Sequence, residues 1–301
     1  MPELPDITLY VDALNQRLQG QPLIDLQLQN PFVLRTVEPA IEQFRDRTLN
    51  QVTRLGKRIV FEFEGDYRAV IHLMIAGRLQ WHAAAGKKSA RKGILSLEFA
   101  SGTVLLTEAG SKRRASLHLF DSISTYKQLD RGGLEIEGIR LPAFRQRLTL
   151  RNHTLKRALT DPGLFSGIGN AYSDEILHRA RLSPVKLTQK LSGEEIKQLH
   201  KACKQVLAEW TKTLRRENGD LFPAKVTAFR DGMAVHGRYR QPCPDCGTAI
   251  QRIRYVSNET NYCPRCQNDG KILADRSLSR LLKQDWPRTV EALEEKQIES
   301  K

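Results

Sequence analysis

The chain opens Met1-Pro2-Glu3-Leu4-Pro5-Asp6. Removal of Met1 would make the terminal nitrogen the secondary amine of Pro2. An unperturbed α-amine has a pKa of about 8, against about 10.4 for lysine, so a usable fraction is neutral near pH 7. A neutral amine beside an acid is what Schiff-base chemistry at a carbon centre requires, and Glu3 supplies the acid one peptide away. Taken alone, these residues fit a frayed, proline-containing terminus better than a nucleophile. A second group is less ambiguous. Four of the five cysteines form Cys243-x2-Cys246-x16-Cys263-x2-Cys266, the spacing of a zinc ribbon in which each CxxC knuckle gives two thiolates to one tetrahedral ion. Four thiolates close the shell, so one structural zinc is expected and no catalytic one. Cys203, inside the helical run GEEIKQLHKACKQVLAEW, is expected in a core.

A third group is Gly167-Ile168-Gly169-Asn170, followed at once by a helix-like run from Ala171 to Arg181. Two glycines permit a tight turn, and the free N–H groups at a helix start attract phosphate. An ordinary helix–helix connection has the same look.

The elements that must position these groups follow from periodicity. Ile7, Tyr10, Val11, Leu14 and Leu18 form an apolar stripe at helical spacing, with Pro5 where a first turn tolerates it. Residues 22–120 read as strands: Ile24, Leu26 and Leu28 alternate with polar residues, and then come 58–63, 68–73, 77–82, 94–100, 103–108 and 115–120. Short alternating runs divided by turns indicate an antiparallel sandwich or barrel. The basic loop 83–93 is expected to be mobile, and 121–150 reads as a linker with a short helix. Residues 144–216 turn to helical periodicity, ending in a helix from Ser192 to about Arg215. Residues 217–242 read as a loop and strand pair running into the cysteines. The tail 267–301 carries Ile272, Leu273, Leu278, Leu281 and Leu282, then a helical run to Ile298. It is apolar enough to be expected to pack on the body or on a partner.

Composition narrows the partner. The 301 residues carry a net charge of +14. From Gln267 onward seven Lys/Arg offset seven Asp/Glu, so the whole excess lies in residues 1–266. A basic body with a neutral tail suits a polyanion, although a merely soluble basic protein shares that charge. No run approaches the ~18 apolar residues of a membrane span, and the start lacks a basic-then-apolar leader, so an intracellular protein is expected.

The order of these features resembles the formamidopyrimidine-DNA glycosylase/endonuclease VIII family. The likeness spans about residues 2–267 and is carried by PELPD (2–6), LGKR (55–58), HLMIAGRL (72–79), KRR (112–114), GIGNAYSDEIL (167–177), VHGR (235–238) and the four cysteines. It implies an α+β multidomain fold: an N-terminal antiparallel β-sandwich flanked by helices (2–135), a helix–two-turn–helix domain (144–216) and a zinc finger (230–267); the helical C-terminal extension (268–301) exceeds the usual family ending. It also implies a bifunctional DNA glycosylase and abasic-site lyase, acting as a monomer on damaged double-stranded DNA with no nucleotide cofactor.

By the same resemblance, the Pro2 nitrogen attacks C1′ of a flipped-out nucleotide, Glu3 handles protons at the sugar oxygen, and Lys57 serves β-elimination. His72, Lys156 and Asn170 would contact phosphates. Arg114 would enter the duplex opposite the orphaned base, with Ile75 sharing the vacated space. The remaining Lys and Arg residues would supply salt-sensitive, sequence-independent affinity.

Departures from the family pattern limit what it implies. Asp6 stands for the usual glutamate, Ile75 for a methionine and Ala115 for a phenylalanine. Asn258 stands where a finger arginine linked to δ-elimination is usual, with Arg252 and Arg254 nearby. The segment 217–232 is short for a loop that covers a flipped purine. A non-catalytic binder of damaged DNA and a lyase with little base release therefore stay open as alternatives.

Overall fold

The computed structural model describes residues 1–84, 93–109, 112–224, 226–227, 229–256, 258–275, 279–281, 284 and 286–299. Most of the basic loop 83–93 thus lies outside the described residues. The chain divides into two compact units, residues 1–132 with 209–228, and residues 133–208 with 229–301. No described helix is long and apolar enough to cross a membrane.

The first unit is built on eight strands: β1 (Leu23–Leu28), β2 (Leu49–Leu55), β3 (Arg58–Phe63), β4 (Arg68–His72), β5 (Gly77–Ala83), β6 (Leu95–Phe99), β7 (Gly102–Glu108) and β8 (Ser116–Phe120). They form two four-stranded antiparallel sheets, ordered β1-β6-β7-β5 and β2-β3-β4-β8. Alternation sends Ile59, Phe61, Ile71, Leu117 and Leu119 of one sheet, and Leu95, Leu97, Val104 and Leu106 of the other, into a single core. Helix α1 (Leu4–Leu18) lays Ile7, Tyr10, Leu14 and Leu18 on that core, while Val11 is only half-buried at its edge. Each fully buried Leu or Ile of that stripe contributes roughly 1.5–3 kcal/mol, enough to anchor the terminus.

Strand β2 was not expected from the sequence. A bulge between Leu49 and Gln51 sets its two inward residues, Leu49 and Val52, three apart and destroys the period of two. It is an edge strand, and α1 covers that edge. The Asn15 side-chain amide donates to the Val52 carbonyl at 2.7 Å and accepts from the Val52 N–H at 2.6 Å, acting as a one-residue strand neighbour.

After the short α2 (Ile123–Tyr126) of the first unit, α3 (Leu141–Thr149), α4 (Leu155–Thr160), α5 (Asn170–Arg179) and the start of α6 (Gly193–Asn218) bury Phe144, Leu148, Leu159, Phe165, Ile176, Leu199 and Cys203 in the second unit. Phe144 packs against the rings of Phe165 and His200, at 5.0 and 5.1 Å between centroids. Burial raises the Cys203 thiol far above its ordinary range, which makes it an inert core residue. Residues 209–218 of α6 group with the first unit, where Arg215 pairs with Asp12 at 2.7 Å.

The segment after α6 corrects an expectation. Between Gly219 and Ile250 the described residues form no strand, only the isolated bridge Pro242–Ala249. The part up to residue 228 belongs to the first unit and packs there as irregular chain. Phe222 stacks near Tyr10 (5.8 Å) and Trp81 (6.4 Å), and Val226 is 3% exposed in the sandwich core. The finger itself is a hairpin, β9 (Gln251–Arg254) and β10 (Glu259–Tyr262), followed by the short α7 (Pro264–Asn268).

Candidate active site, glycine turn and metal centre

The N-terminal amine sits at the positive end of α1. Glu3 is the N-cap residue, and its own N–H donates to the Asp6 carboxylate at 2.9 Å, part of a reciprocal capping box. Both acids are buried, at 2% and 1% exposure, where the helix dipole favours their charge. The shorter side chain of Asp6 therefore still reaches its cap. Pro2 is buried and Met1 half-buried. Burial lowers the pKa of the terminal ammonium; Glu3 and Asp6 oppose the shift, and Arg78 and Lys57 reinforce it. An amine held here is biased toward its neutral, nucleophilic form.

Lys57 stands at the tip of the β2–β3 hairpin, between the paired residues Leu55 and Arg58. Gly56 has φ of 61° and Lys57 a negative φ, the pattern of a two-residue type II′ turn, which needs glycine first. His72 ends β4 on the same face as its cross-strand neighbours Arg58 and Ser116. Burial, then Arg58, Lys57 and His118, lower its pKa to about 4, so it is neutral near pH 7 and keeps one ring N–H to donate.

Two loops carry the residues expected to fill a vacated base site. Ile75 is 61% exposed on the turn after β4, which closes through Gly77 N–H to the Leu73 carbonyl at 2.9 Å. A Cβ on Gly77 would meet that carbonyl oxygen at 2.3 Å, so the turn requires glycine. Tyr10 of α1 accepts from the Leu79 N–H just beyond it, at 3.3 Å. Arg114 is exposed, and the Glu108 carboxylate holds its backbone N–H and that of Ala115 at 2.9–3.0 Å. Ala115 itself is 3% exposed and belongs to the core, so it presents nothing to a ligand.

The glycine turn lies in the second unit. Gly167 has φ of 81°, Gly169 is the N-cap of α5, and Asn170 is its first residue. The Asn170 amide donates to the Glu259 carbonyl of β10 at 2.9 Å, and its own carbonyl accepts from Lys156 Nζ at 2.6 Å. Lys156 also pairs with Asp174 at 2.5 Å. Two of its three donors therefore point inward.

Sequence reasoning missed Asp174 and Glu175 as organising residues. Asp174, fully buried, also accepts from His236 Nδ1 at 2.8 Å and from the Asn261 N–H at 3.2 Å. Glu175 accepts from the N–H groups of Ala234, Val235 and His236 at 2.7–2.9 Å. Adjacent acids one turn after a glycine turn, on a helix that otherwise buries apolar residues, were the available signal.

The sulfurs of Cys243, Cys246, Cys263 and Cys266 lie within 4.8 Å of one another. Zn–S bonds of about 2.3 Å in a tetrahedron place sulfurs about 3.8 Å apart. Distances of 3.9 Å (Cys243–Cys266) and 3.4 Å (Cys246–Cys263) suit that ion. His178, at the end of α5, has Nε2 at 3.4 Å from Cys243 Sγ, and burial lowers its pKa toward the neutral form.

Three family profiles match in the same order as these features: the formamidopyrimidine-DNA glycosylase N-terminal domain over residues 1–114, its H2TH domain over 135–217, and the zinc finger found in FPG and IleRS over 240–268. The chain belongs to the formamidopyrimidine-DNA glycosylase family. A formamidopyrimidine-DNA glycosylase from Desulfitobacterium hafniense is 29% identical over 277 residues, covering 89% of this chain and 100% of the relative. An uncharacterized formamidopyrimidine-DNA glycosylase-like protein from Mycobacterium tuberculosis is 43% identical over 129 residues, 43% of this chain and 80% of the relative. The solved structure of wild-type Lactococcus lactis Fpg with DNA containing an oxidised pyrimidine superposes with a TM-score of 0.77 at 25% identity, covering 89% of this chain and 100% of that one.

The α+β fold of the formamidopyrimidine-DNA glycosylase family, with its antiparallel sheets, H2TH helices and finger, is the fold observed, and the four cysteines are a structural zinc site. Pro2, Glu3, Lys57, His72, Ile75 and Arg114 all belong to the first unit. Lys156, Asn170 and the cysteines all belong to the second. In the finger, Arg252 pairs with Glu259 at 3.1 Å and lies over the Tyr239 ring at 4.2 Å, whereas the Arg254 side chain is exposed.

Proposed function

We propose that this protein is a base-excision DNA repair enzyme, a DNA glycosylase and abasic-site lyase whose nucleophile is the Pro2 nitrogen after loss of Met1. One observation carries the reading. Pro2 is buried at the N-terminus of α1, directly before the buried N-cap residue Glu3, and burial at this end of the chain lowers the pKa of the Met1 ammonium.

The chemistry follows from those groups. The Pro2 lone pair forms the N–C1′ bond as the C1′–base bond breaks, the base taking a proton from water; the Pro2 N–H proton passes to the Glu3 carboxylate, which returns it to O4′ as the C1′–O4′ bond opens. The resulting iminium makes the C2′ proton acidic. Its loss expels the 3′ phosphate by β-elimination, and water then releases the sugar fragment and restores the amine. Lys57, on its hairpin tip, is positioned as the cation beside the reacting nucleotide. Neutral His72 offers an N–H to a phosphate without bringing charge of its own. The Lys and Arg excess supplies affinity for the duplex backbone. Relatives named as formamidopyrimidine-DNA glycosylases, and solved complexes of the Lactococcus lactis protein with damaged DNA, support damaged DNA as the substrate.

Borohydride trapping on purified protein of verified N-terminal mass tests this. Duplexes carrying abasic, formamidopyrimidine, 8-oxoguanine and oxidised-pyrimidine sites should yield a covalent adduct that Pro2→Gly abolishes, and Glu3→Gln should lose base release. Tight binding without an adduct on any of them would leave a recognition protein. An adduct on abasic DNA alone would favour a lyase with little base release, a reading that the buried Ala115 also suits because it adds nothing to the wedge.

A further inference from the structure

The chain continues for 35 residues after Cys266, and the finger profile stops at residue 268. Among its described residues, Leu273 and Asp275 are folded back on the finger. The Tyr262 hydroxyl, at the end of β10, accepts from the Leu273 N–H at 2.7 Å. The Asp275 carboxylate accepts from the Arg254 N–H, at the end of β9, also at 2.7 Å. Asp275 is 1% exposed and Tyr262 is fully buried. Farther along, the extension closes on itself through the Lys271–Thr289 bridge, Ile272 N–H to the Arg288 carbonyl at 2.8 Å, and Val290 N–H to the Gly270 carbonyl at 3.0 Å. Val290 is 2% exposed.

The geometry of the hairpin makes these contacts informative. A two-stranded sheet has two open edges whose backbone groups need partners. The β10 edge is met by α5, through Asn170 to the Glu259 carbonyl and the Asn261 N–H to Asp174. The β9 edge is met by the extension, through Asp275. A buried carboxylate is costly unless it is hydrogen-bonded, so Asp275 in this place ties the extension to one register of β9.

We propose that the C-terminal extension is a brace for the zinc-finger hairpin, and that Asp275 is the positioning residue fixing its tip. The exposed Arg254 side chain is thereby held at one place on the finger surface, where a nucleic-acid phosphate is the ligand its charge suits. The part played on DNA rests on the function proposed above; the bracing itself does not.

Hydrogen exchange and DNA binding on the full-length, zinc-loaded protein separate the two. In Asp275→Ala the amide of Arg254 should exchange at least tenfold faster. Affinity for an abasic duplex at low salt should fall several-fold, with the single-turnover cutting rate at saturating protein unchanged. Asp275→Asn keeps a carbonyl oxygen as acceptor and should recover most of both losses. Tyr262→Phe, which removes the acceptor for Leu273, provides the second route if Asp275→Ala does not fold, and should loosen the same hairpin. Unchanged exchange at Arg254 in the folded variant would overturn the brace. Faster exchange with no activity on any damaged duplex would retain the brace and overturn the enzyme.

Discussion

The ammonium of Lys156 lies 2.5 Å from the carboxylate of Asp174, and neither group is open to solvent to any extent that would screen the pair. The second oxygen of Asp174 holds His236, so one buried acid joins the start of the glycine-turn region to the segment leading into the finger. Removing one partner of a buried pair leaves the other uncompensated and costs about 3–5 kcal/mol. Asp174→Ala should therefore lower the unfolding free energy of the zinc-loaded protein, read from urea titration, by that order, and Lys156→Met should do likewise. A Lys156→Met protein of unchanged stability that merely bound DNA more weakly would make Lys156 a simple phosphate contact.

His178 supports the metal from the same helix. A ring N–H directed at a thiolate steadies its charge and orientation, and loss of such outer partners typically costs 10- to 100-fold in metal affinity. His178→Ala should release zinc to a chelator faster by that order while still binding one ion. Loss of zinc from the parent chain should also release the β9–β10 hairpin, read as faster amide exchange at Thr260 and Ile253. Equal release rates in variant and parent would reduce the 3.4 Å contact with Cys243 to simple packing.

The pH dependence has a definite sign at His72. Its pKa falls from 6.5 to about 4 on folding, because burial and then Arg58, Lys57 and His118 oppose its charge. Between those values the unfolded chain binds more protons than the folded one. Stability from this group is thus complete above 6.5 and is lost as pH falls toward 4, by up to roughly 3 kcal/mol. His118 is shifted in the same direction and adds to the slope. A His72→Gln protein should lose less stability than the parent across this window in denaturant titrations. Parallel curves would show that the ring is not excluded from protonation in the folded state.

Asp6 controls the seat of Glu3. Asp6→Ala removes the acceptor of the Glu3 N–H and should cost about 1 kcal/mol, as for other lost helix caps. It should also reduce borohydride trapping, because the acid beside the amine loses its fixed orientation. Asp6→Glu should keep both. Full trapping by a destabilised Asp6→Ala protein would confine Asp6 to helix capping.

Much of the protein is legible in its residue order. Six strands, β3 to β8, fall within about a residue of where the sequence pattern puts them, because the residues they send into the shared core recur at every second position. The cysteine spacing sets the zinc ligands, since two CxxC knuckles can reach one tetrahedral ion with local geometry alone. The α1 stripe is local as well.

What the sequence could not decide depends on partners distant along the chain. Strand β2 exists because Asn15, 37 residues away, completes its edge and because a bulge masks its period. Just after α6, Val226 enters the sandwich core and Phe222 packs against it, so this part of the segment is held as irregular chain and not as a strand. The inward turn of Lys156, the burial of Asp174 and Glu175, and the grip of Asp275 on Arg254 join groups 14 to 62 residues apart. A carboxylate in sequence looks the same whether water or a backbone N–H will satisfy it. Tertiary packing makes that choice, because only packing removes the water.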